Sequence, residues 1–427
     1  MPIRSLVAVT GLALAIPAAA QSRFIIADRA TDSLFSIWDK NLSGVIDEPS
    51  EVALYFNASN TAGTLGPQNP TAQAIRHDGL VAMGDQINRV VYLLFDHNRD
   101  GDALDPLEST VAADATNASG VSFAFPTGAA FDFEGRLHIV NAGNSFGHDG
   151  VYRLVDLNDD GDFQDAGEVT VFIGEPVFGP GNGPWSPQEI VLYPSGPVVR
   201  GYLRNSSAGL HGVYAFADLN GNGRADDTGE FATFFSSANL SGVTVSAGFA
   251  VDIDPVRSAS VYMLQIATGG VDELYRLSDL NGDGDAQDPG EAVLVFSTAE
   301  PFSGIDAIAL ASGQVLITDN TGKRVIVLTD LNNDGLFTGA GERADFFPNT
   351  APSVTDIRQI NAIAPVCQAN CDQSTTAPVL NVADFSCFLQ KFAAGQPYAN
   401  CDSSSTAPIL NVADFSCFLQ SFAGGCP

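Results

Sequence analysis

The residues of this chain that are best suited to chemistry are acidic and amide side chains that recur at one spacing. In each copy Asp stands at position 1, Asn at position 3, Gly at position 6 and Glu at position 13. The six copies begin at Asp39, Asp96, Asp156, Asp218, Asp279 and Asp330. These 13-residue windows hold 27 of the 50 Asp and Glu residues but only three of the 19 Lys and Arg residues. Because clustered like charges destabilise a compact fold, we expect bound cations to neutralise them.

Calcium is the cofactor that this pattern predicts. Oxygen ligands at positions 1, 3 and 5, followed by a Gly that permits a sharp turn, form the first half of an EF-hand-type loop. The last acid stands at position 13 rather than 12 and strand-like segments flank the loop, so we expect a calcium-clamped hairpin without a helix-opening switch. The alternative is that Asp, Asn and Gly only form turns, but a turn needs no Glu at a fixed distance.

The predicted ligands are the oxygen-bearing side chains of the six loops. They are Asp39, Asn41, Ser43, Glu51, Asp96, Asn98, Asp100, Asp102, Glu108, Asp156, Asn158, Asp160, Asp162, Glu168, Asp218, Asn220, Asn222, Glu230, Asp279, Asn281, Asp283, Asp285, Glu291, Asp330, Asn332, Asp334 and Glu342. The loops that begin at Asp96, Asp156 and Asp279 are the richest in acidic ligands.

Short β-branched and aromatic segments flank the loops and predict strands. SLFSIW, GVYRLV and RVIVLT precede three of them, and VTVF and AVLVF follow two of them. Two more strand-like pieces lie upstream, so each unit of about 58 residues has four strands, named A to D, with the loop between C and D. The spacings of 57, 60, 62, 61 and 51 residues between loops are typical of propeller blades.

The ends of the array predict how it closes. The first unit starts on a strand B at residues 23–28 and lacks a strand A, whereas segment 356–364 (DIRQINAIA) follows the last strand D. Pairing these two segments removes exposed sheet edges. The sequence therefore predicts an all-β fold, a six-bladed β-propeller over residues 21–365 that is closed by a C-terminal strand.

The stretches from strand B to strand C resemble a known repeat. In ADRATDSLF, GDQINRVVY and TDNTGKRVIV an Asp ends strand B and an apolar strand C follows a polar turn. This pattern resembles the NHL-type propeller repeat over residues 24–365. The resemblance implies the architecture rather than an activity.

The residues that line the central channel distinguish a binding domain from an enzyme. The candidate channel residues are Asp28, Asp85, Asn141 and Asp319 at the ends of strands B, and Glu189 at the start of a strand A. We expect the strand-end Asp residues to cap the B–C turns, as in NHL-type repeats. No G-x-S-x-G or H-E-x-x-H motif is present, so we predict no catalytic residue. We expect surface or turn positions for His77, His97, His138, His148 and His211.

The first 20 residues predict an exported protein. They combine Arg4, an apolar run from Leu6 to Ile16 and small residues before Gln21, as in a secretory signal peptide. No later stretch reaches the roughly 18 to 20 apolar residues of a membrane span. The net charge of −31 leaves no basic stripe for nucleic acid. We therefore expect a secreted or cell-surface location, without a nucleic-acid partner.

The six cysteines all lie in the last 61 residues, within a tandem repeat. Residues 371–395 and 401–425 match at 20 of 25 positions. Each copy has an Asp- and Ser-rich loop followed by a short amphipathic helix, whose predicted apolar faces are Phe385, Phe388, Leu389 and Phe392, and Phe415, Phe418, Leu419 and Phe422. An even number of cysteines in a small exported module predicts disulfides. A zinc site is the alternative, but the module has no C-x-x-C pair and no His.

This tandem, residues 366–427, resembles a GC-type dockerin, with N-V-A-D-F at the end of each loop. The resemblance implies docking on a cohesin-like receptor and calcium held by Asp372, Ser374, Thr376, Asn381 and Asp384, and by Asp402, Ser404, Thr406, Asn411 and Asp414. Thr at position 5, a missing Gly at position 6 and one extra residue depart from the dockerin loop. A disulfide-rich cap without a partner is the alternative.

Two functions remain open from the sequence. The first is an exported, calcium-stabilised binding or scaffold propeller for a protein or carbohydrate ligand, anchored by its C-terminal module. The second is a secreted propeller enzyme of the metal-dependent hydrolase or lactonase type, tethered in the same way. Three or more acids or amides converging at the channel mouth would favour the enzyme.

Overall fold

The computed structural model contains six four-stranded antiparallel sheets. It describes residues 23–76, 78–142, 149–174, 186–194, 196–207, 209–248, 250–254, 260–266, 271–297, 307–311, 314–320, 322–348, 354–363, 371, 380–393, 399 and 410–424. No helix within these ranges is long and apolar enough to cross a membrane.

Each sheet is one blade, and its strands follow the chain from the centre of the ring outwards. Blade 1 contains β1 (Arg23–Asp28), β2 (Ser33–Trp38) and β3 (Val52–Phe56). Blade 2 contains β4 (Pro70–Ile75), β5 (Val81–Asp85), β6 (Val90–Leu94) and β7 (Ser109–Ala113). Blade 3 contains β8 (Pro126–Phe131), β9 (Leu137–Asn141), β10 (Gly150–Leu154) and β11 (Val169–Gly174).

The second half of the ring repeats this order. Blade 4 contains β12 (Pro187–Leu192), β13 (Arg200–Asn205), β14 (Gly212–Ala217) and β15 (Phe231–Ser236). Blade 5 contains β16 (Val251–Ile253), β17 (Ser260–Ile266), β18 (Asp272–Ser278) and β19 (Ala292–Ser297). Blade 6 contains β20 (Ile308–Ala311), β21 (Gln314–Asp319), β22 (Arg324–Thr329) and β23 (Arg343–Phe347).

The ring closes through β24 (Ile357–Ile363), which is the innermost strand of blade 1. It pairs antiparallel with β1, placing Ile360 opposite Ile26. The Asp28 carboxylate also accepts the backbone N–H groups of Thr355 (2.6 Å) and Asp356 (3.0 Å). The innermost strands β24, β4, β8, β12, β16 and β20 contact one another in a closed circle. The predicted six-bladed propeller and its closing strand are therefore confirmed.

The hydrophobic core lies between neighbouring blades. Phe24 and Ile26 pack with Leu316 of blade 6, whereas Ile25, between them in sequence, packs with Met83 of blade 2. Both faces of a blade are thus buried, and this explains why the strands are continuous apolar runs rather than alternating ones.

The C-terminal tandem forms two helices, α1 (Val382–Ala393) and α2 (Val412–Gly424). They pack through Phe388 and Phe418, whose rings stack at 4.2 Å between centroids. A disulfide joins Cys371 to Cys387, and Cys417 is also disulfide-bonded, which favours the disulfide framework over zinc. Cys367, Cys401 and Cys426 lie outside the described residues.

The predicted apolar helix faces are wrong at one position in each helix. Leu389 and Leu419 are 42% and 43% exposed, respectively, whereas Phe388 and Phe418 are fully buried. The two-helix core is small, and stacked phenylalanine rings fill it. The leucines therefore lie at its margin.

Candidate metal loops and central channel

The six predicted loops share one set of internal hydrogen bonds. The carboxylate at position 1 accepts the backbone N–H of the Gly at position 6, at 2.6–3.0 Å in every loop. The Asn oxygen at position 3 accepts the N–H of residue 5, at 2.8–3.1 Å. Positions 1 and 3 therefore direct their oxygens toward the inside of the loop.

The Glu at position 13 closes each loop from within. Its Oε1 accepts the N–H of residue 2, at 2.8–3.1 Å, and its Oε2 accepts the N–H of residue 10, at 2.5–3.3 Å. All six of these side chains are at most 5% exposed: Glu51, Glu108, Glu168, Glu230, Glu291 and Glu342. The residues predicted as terminal ligands thus also organise the loop backbone.

The backbone of the loops explains the recurrent glycines. Position 6 has a positive φ, between 81° and 107°, in all six copies: Gly44, Gly101, Gly161, Gly223, Gly284 and Gly335. Position 4 is also left-handed throughout, with φ between 59° and 80°, although only two copies have Gly there. Left-handed backbone favours Gly or Asn. All six loops therefore adopt one conformation despite different side chains.

Each loop also fastens its blade to the preceding one. The N–H of residue 8 donates to a backbone carbonyl in the outer strand of the preceding blade, at 2.7–2.9 Å. The acceptors are Phe346, Tyr55, Ala112, Phe172, Phe234 and Val295. Each acceptor is the extra residue of a β-bulge, which the pairing with strand C skips. A bulge leaves its residue unpaired, and here the loop of the next blade pairs it.

Oxygens without hydrogen-bond partners show where a cation would fit. In loop 2 the Asp96 Oδ1 is buried without a partner, and burial raises the pKa of Asp96 to about 6. Asp218, at position 1 of loop 4, is 7% exposed and its Oδ1 also lacks a partner. Oxygens of Asp100, Asp102 and Glu108 lie within 4.8 Å of one another. These side chains fit a hard cation such as Ca²⁺.

The acid at position 10 is a loop residue that was not among the predicted ligands. The Asn side chain at position 3 donates to it in four loops, at 2.5–2.9 Å. The four acids are Asp105, Asp165, Asp227 and Asp288. Their recurrence at one position was visible in the sequence, but its meaning depends on the folding back of the loop.

Three loops are backed by an arginine from the preceding blade. Arg276 donates from Nη1 to the Gly335 carbonyl of loop 6 (2.6 Å). Arg23 donates from Nη2 to the Gly101 carbonyl of loop 2. The guanidinium of Arg153 lies against Gly223 of loop 4, so close that a Cβ there would meet it at 2.3–2.6 Å. The protein thus supplies part of the countercharge for loops 2, 4 and 6.

The Gln359 side chain reaches across the central channel. Gln359 extends from β24, and its Nε2 donates to the Thr71 carbonyl (3.1 Å), the Thr127 carbonyl (3.5 Å) and Glu189 Oε2 (3.3 Å). It therefore links four of the six blades. Glu189 occupies space that Gly128 leaves free, because a Cβ at Gly128 would lie 2.7 Å from Glu189 Oε1.

Two carboxyl groups in the channel have strongly raised pKa values. Glu189 is surrounded by protein apart from its side toward the channel, and burial raises its pKa to about 8, with nearby Asp252 adding to the shift. Burial also raises the pKa of Asp252 to about 7. Two cavities of about 180 Å³ each lie here. Asp252, Asn361 and Ile308 line both, and Glu189 lines one.

Three strand-end aspartates cap the B–C turns, as predicted, whereas Asn141 bonds elsewhere. Asp28 accepts the N–H of Ala30 (2.9 Å), Asp85 that of Asn88 (2.7 Å) and Asp319 that of Gly322 (2.8 Å). Asn141 accepts the Phe125 N–H (2.9 Å) ahead of the innermost strand. These side chains hold turns and do not converge on the channel.

The expected surface or turn position is wrong for His138. It lies in β9, fully buried, and its ring meets the edge of Phe172 at 4.5 Å between centroids. Burial lowers the pKa of His138 to about 4. The imidazole acts here as an aromatic core residue between blades 3 and 4. His77 and His148 lie outside the described residues.

The described part of the C-terminal tandem contains the second half of each predicted loop. Asp384 accepts the Asn381 N–H (2.7 Å), and Asn381 Oδ1 accepts the Ala383 N–H (2.8 Å) at the start of α1. Asn411 and Asp414 repeat this arrangement at α2. The predicted ligands outside the described residues are Asp372, Ser374, Thr376, Asp402, Ser404 and Thr406.

The chain is similar to several solved structures at low sequence identity. A chain of a nidogen/laminin complex is 12% identical, with 80% of this chain and 98% of that chain covered and a TM-score of 0.47. The PQQ-bound aldose sugar dehydrogenase of Streptomyces coelicolor is 12% identical (71% and 87% covered, TM-score 0.45). A catalytically inactive virginiamycin B lyase of Staphylococcus aureus is also 12% identical (77% and 86% covered, TM-score 0.40). No protein-family model and no curated protein matches the sequence.

Proposed function

We propose that this chain is an exported binding propeller that calcium stabilises through its six loops. The observation that carries the proposal is the loop geometry: six acid-rich loops share one conformation, and each bonds to a bulge of the preceding blade. An ion that orders a loop therefore also strengthens a blade-to-blade contact. Positions 1, 3 and 5 would supply most ligands, and residue 13 would hold the backbone around the ion.

Counting bound ions tests this proposal directly. The purified full chain, dialysed against about 1 mM calcium, should retain three or more ions per chain by elemental analysis, since extracellular modules bind calcium at about 0.1–1 mM. Magnesium at the same concentration is the control, because it prefers a stricter octahedral site. If the chain retains no calcium, the loops are only turns and the proposal is wrong.

Residues 366–427 would anchor the propeller to a cohesin-like receptor. The support is the duplicated loop–helix unit, whose two helices form one compact phenylalanine core. The test is binding of the full chain and of a chain ending at residue 365 to an immobilised cohesin module. The full chain should bind and the shortened one should not. Equal binding by both, or by neither, would contradict an anchoring role.

A secreted enzyme of the hydrolase or lactonase type is the second candidate. One observation favours it: Glu189 keeps a proton near neutral pH inside the channel, beside Asp252. Against it, the Gln359 side chain spans the channel and engages Glu189 directly. A panel of esters and lactones, assayed with the wild type and Glu189→Gln, separates the two. Turnover that the substitution abolishes would establish the enzyme.

A further inference from the structure

Three loops have an arginine beside their position-6 glycine, and a comparison of the loops shows where such an arginine is missing. Arg153 and Arg276 occupy equivalent positions in strand C. Each directly follows the tyrosine at which the pairing with the bulged outer strand resumes. Arg23 reaches the same place from β1 and donates from Nε to Ser36 (2.5 Å), which holds the equivalent position in blade 1. In blade 2 this position is Leu93. Loop 3 therefore has leucine where loops 4 and 6 have arginine.

A cavity of about 620 Å³ lies beside Leu93, between blades 2 and 3. Leu154 and Phe163 line its apolar part, and Gly161 of loop 3 lies in its wall. Gly161 is the position-6 glycine, equivalent to those that Arg23, Arg153 and Arg276 contact. A Cβ at Gly161 would meet nothing within 4 Å, so this face of loop 3 is open.

The charges around this cavity favour a cationic guest. Its lining includes the acids Glu108, Glu134, Asp156 and Asp159. The two arginines in the wall already have partners: Arg76 pairs with Asp78 (2.7 Å), and Arg136 pairs with both Asp132 (2.7 Å) and Glu134 (2.6 Å). Of the four acids, Glu134 is paired with Arg136, and Glu108 and Asp156 belong to the predicted calcium ligands. Asp159, on the exposed side of loop 3, is the acid left for a cationic guest.

We propose that the cavity between blades 2 and 3 binds an arginine side chain of a partner protein. The guest stem lies on Leu93 and Phe163, and its guanidinium rests on Gly161 beneath loop 3, as Arg276 does beneath loop 6. Arginine suits this site better than lysine, because the guanidinium is planar, weakly hydrated and able to lie flat against a glycine.

The probe is Nα-acetyl-arginine amide, titrated into the full chain at saturating calcium and followed by ligand-observed NMR. Nα-acetyl-lysine amide and Nα-acetyl-norleucine amide are the matched probes. The arginine probe should bind saturably and at least about tenfold more tightly than either, a difference of about 1.4 kcal/mol. No saturable binding, or equal binding of all three probes, overturns the proposal.

Two variants locate the site. Leu93→Arg fills the cavity from within and should weaken probe binding at least about tenfold, whereas Leu93→Met should keep it. Arg153→Met opens the equivalent space beneath loop 4 and should add a second site of the same preference. The second variant gives an answer even if Leu93→Arg does not fold. Unchanged binding in folded Leu93→Arg, or unchanged stoichiometry in Arg153→Met, places the probe elsewhere and contradicts the assignment.

Discussion

Two titratable side chains of this propeller are held in their neutral form by their surroundings. Glu189 and His138 are both titratable, and burial shifts the pKa of each toward its neutral form. Glu189 is held between Gly128 and Gln359, and His138 lies against Phe172. Both act as neutral polar residues near pH 7. Their titration therefore affects stability rather than surface charge.

Glu189→Gln should remove a destabilising effect of rising pH. The pKa of Glu189 is about 8 in the folded chain but near 4.5 when unfolded. Between these values the unfolded chain has released a proton that the folded chain keeps, so wild-type stability falls as pH rises. Urea unfolding at pH 5 and pH 8 should show a smaller fall for Glu189→Gln. Glu134→Gln, at an exposed acid, is the control and should keep the wild-type slope.

His138→Phe should protect the protein in acid. The pKa of His138 is about 4 when folded and 6.5 when unfolded, so wild-type stability is lost as pH falls from about 6.5 to 4. The full loss is about 3 kcal/mol at 1.36 kcal/mol per pKa unit. Melting temperatures at pH 4.5 and pH 7 should lie closer together for His138→Phe. An equal gap in both proteins would show that His138 is not buried as a neutral ring.

At the scale of elements, the loop and the bulge behave as one unit. Loop residue 8 is buried in every blade, and its N–H meets the bulged residue of the neighbouring outer strand. Outer strands of a propeller have a free edge, and unpaired edges invite association with other chains. The loop covers part of that edge. The same hydrogen bond therefore joins two blades and protects a strand.

Glu168→Gln should destabilise the chain, whereas Asp159→Asn should not. Both changes remove one negative charge from loop 3. Only Glu168 accepts loop N–H groups with both oxygens, those of Leu157 (2.9 Å) and Asp165 (2.9 Å). Losing one acceptor in a buried site costs roughly 1–3 kcal/mol. Urea unfolding measures the difference. Similar stabilisation by both variants would mean that charge repulsion dominates over loop organisation.

At the scale of the whole molecule, the ring depends on its last strand. A chain ending at residue 365 keeps β24 and should stay folded and monodisperse. A chain ending at residue 353 lacks β24, the inner partner of β1. Phe24 and Ile26 would then be exposed, and the chain should aggregate or unfold. Size-exclusion chromatography and circular dichroism separate these outcomes. A monodisperse shorter chain would show that closure does not require β24.

Much of this architecture follows from repetition in the sequence. Six loops at regular spacing and the unmatched strands at the two ends predict both the blade number and the closure. The bulges are not predictable in this way. Equivalent bulged residues such as Tyr55 and Ala112 differ in type, and only the strand pairing shows where the bulges lie. The burial of His138 depends on its neighbour Phe172, 34 positions later in the chain. The arginine behind loop 6 comes from the preceding blade, 59 residues before its glycine.

Thermal unfolding of the full chain in about 1 mM calcium and in excess chelator shows whether cations stabilise the six loops. Dissociation constants of about 0.1–1 mM give roughly 0.4–1.4 kcal/mol per occupied loop. For six loops in a propeller of this length, the chelator should lower the melting temperature by roughly 3–12 °C. Restoring calcium should reverse the shift. An unchanged melting temperature would show that the acidic loops are stable without cations and would contradict calcium stabilisation of the propeller.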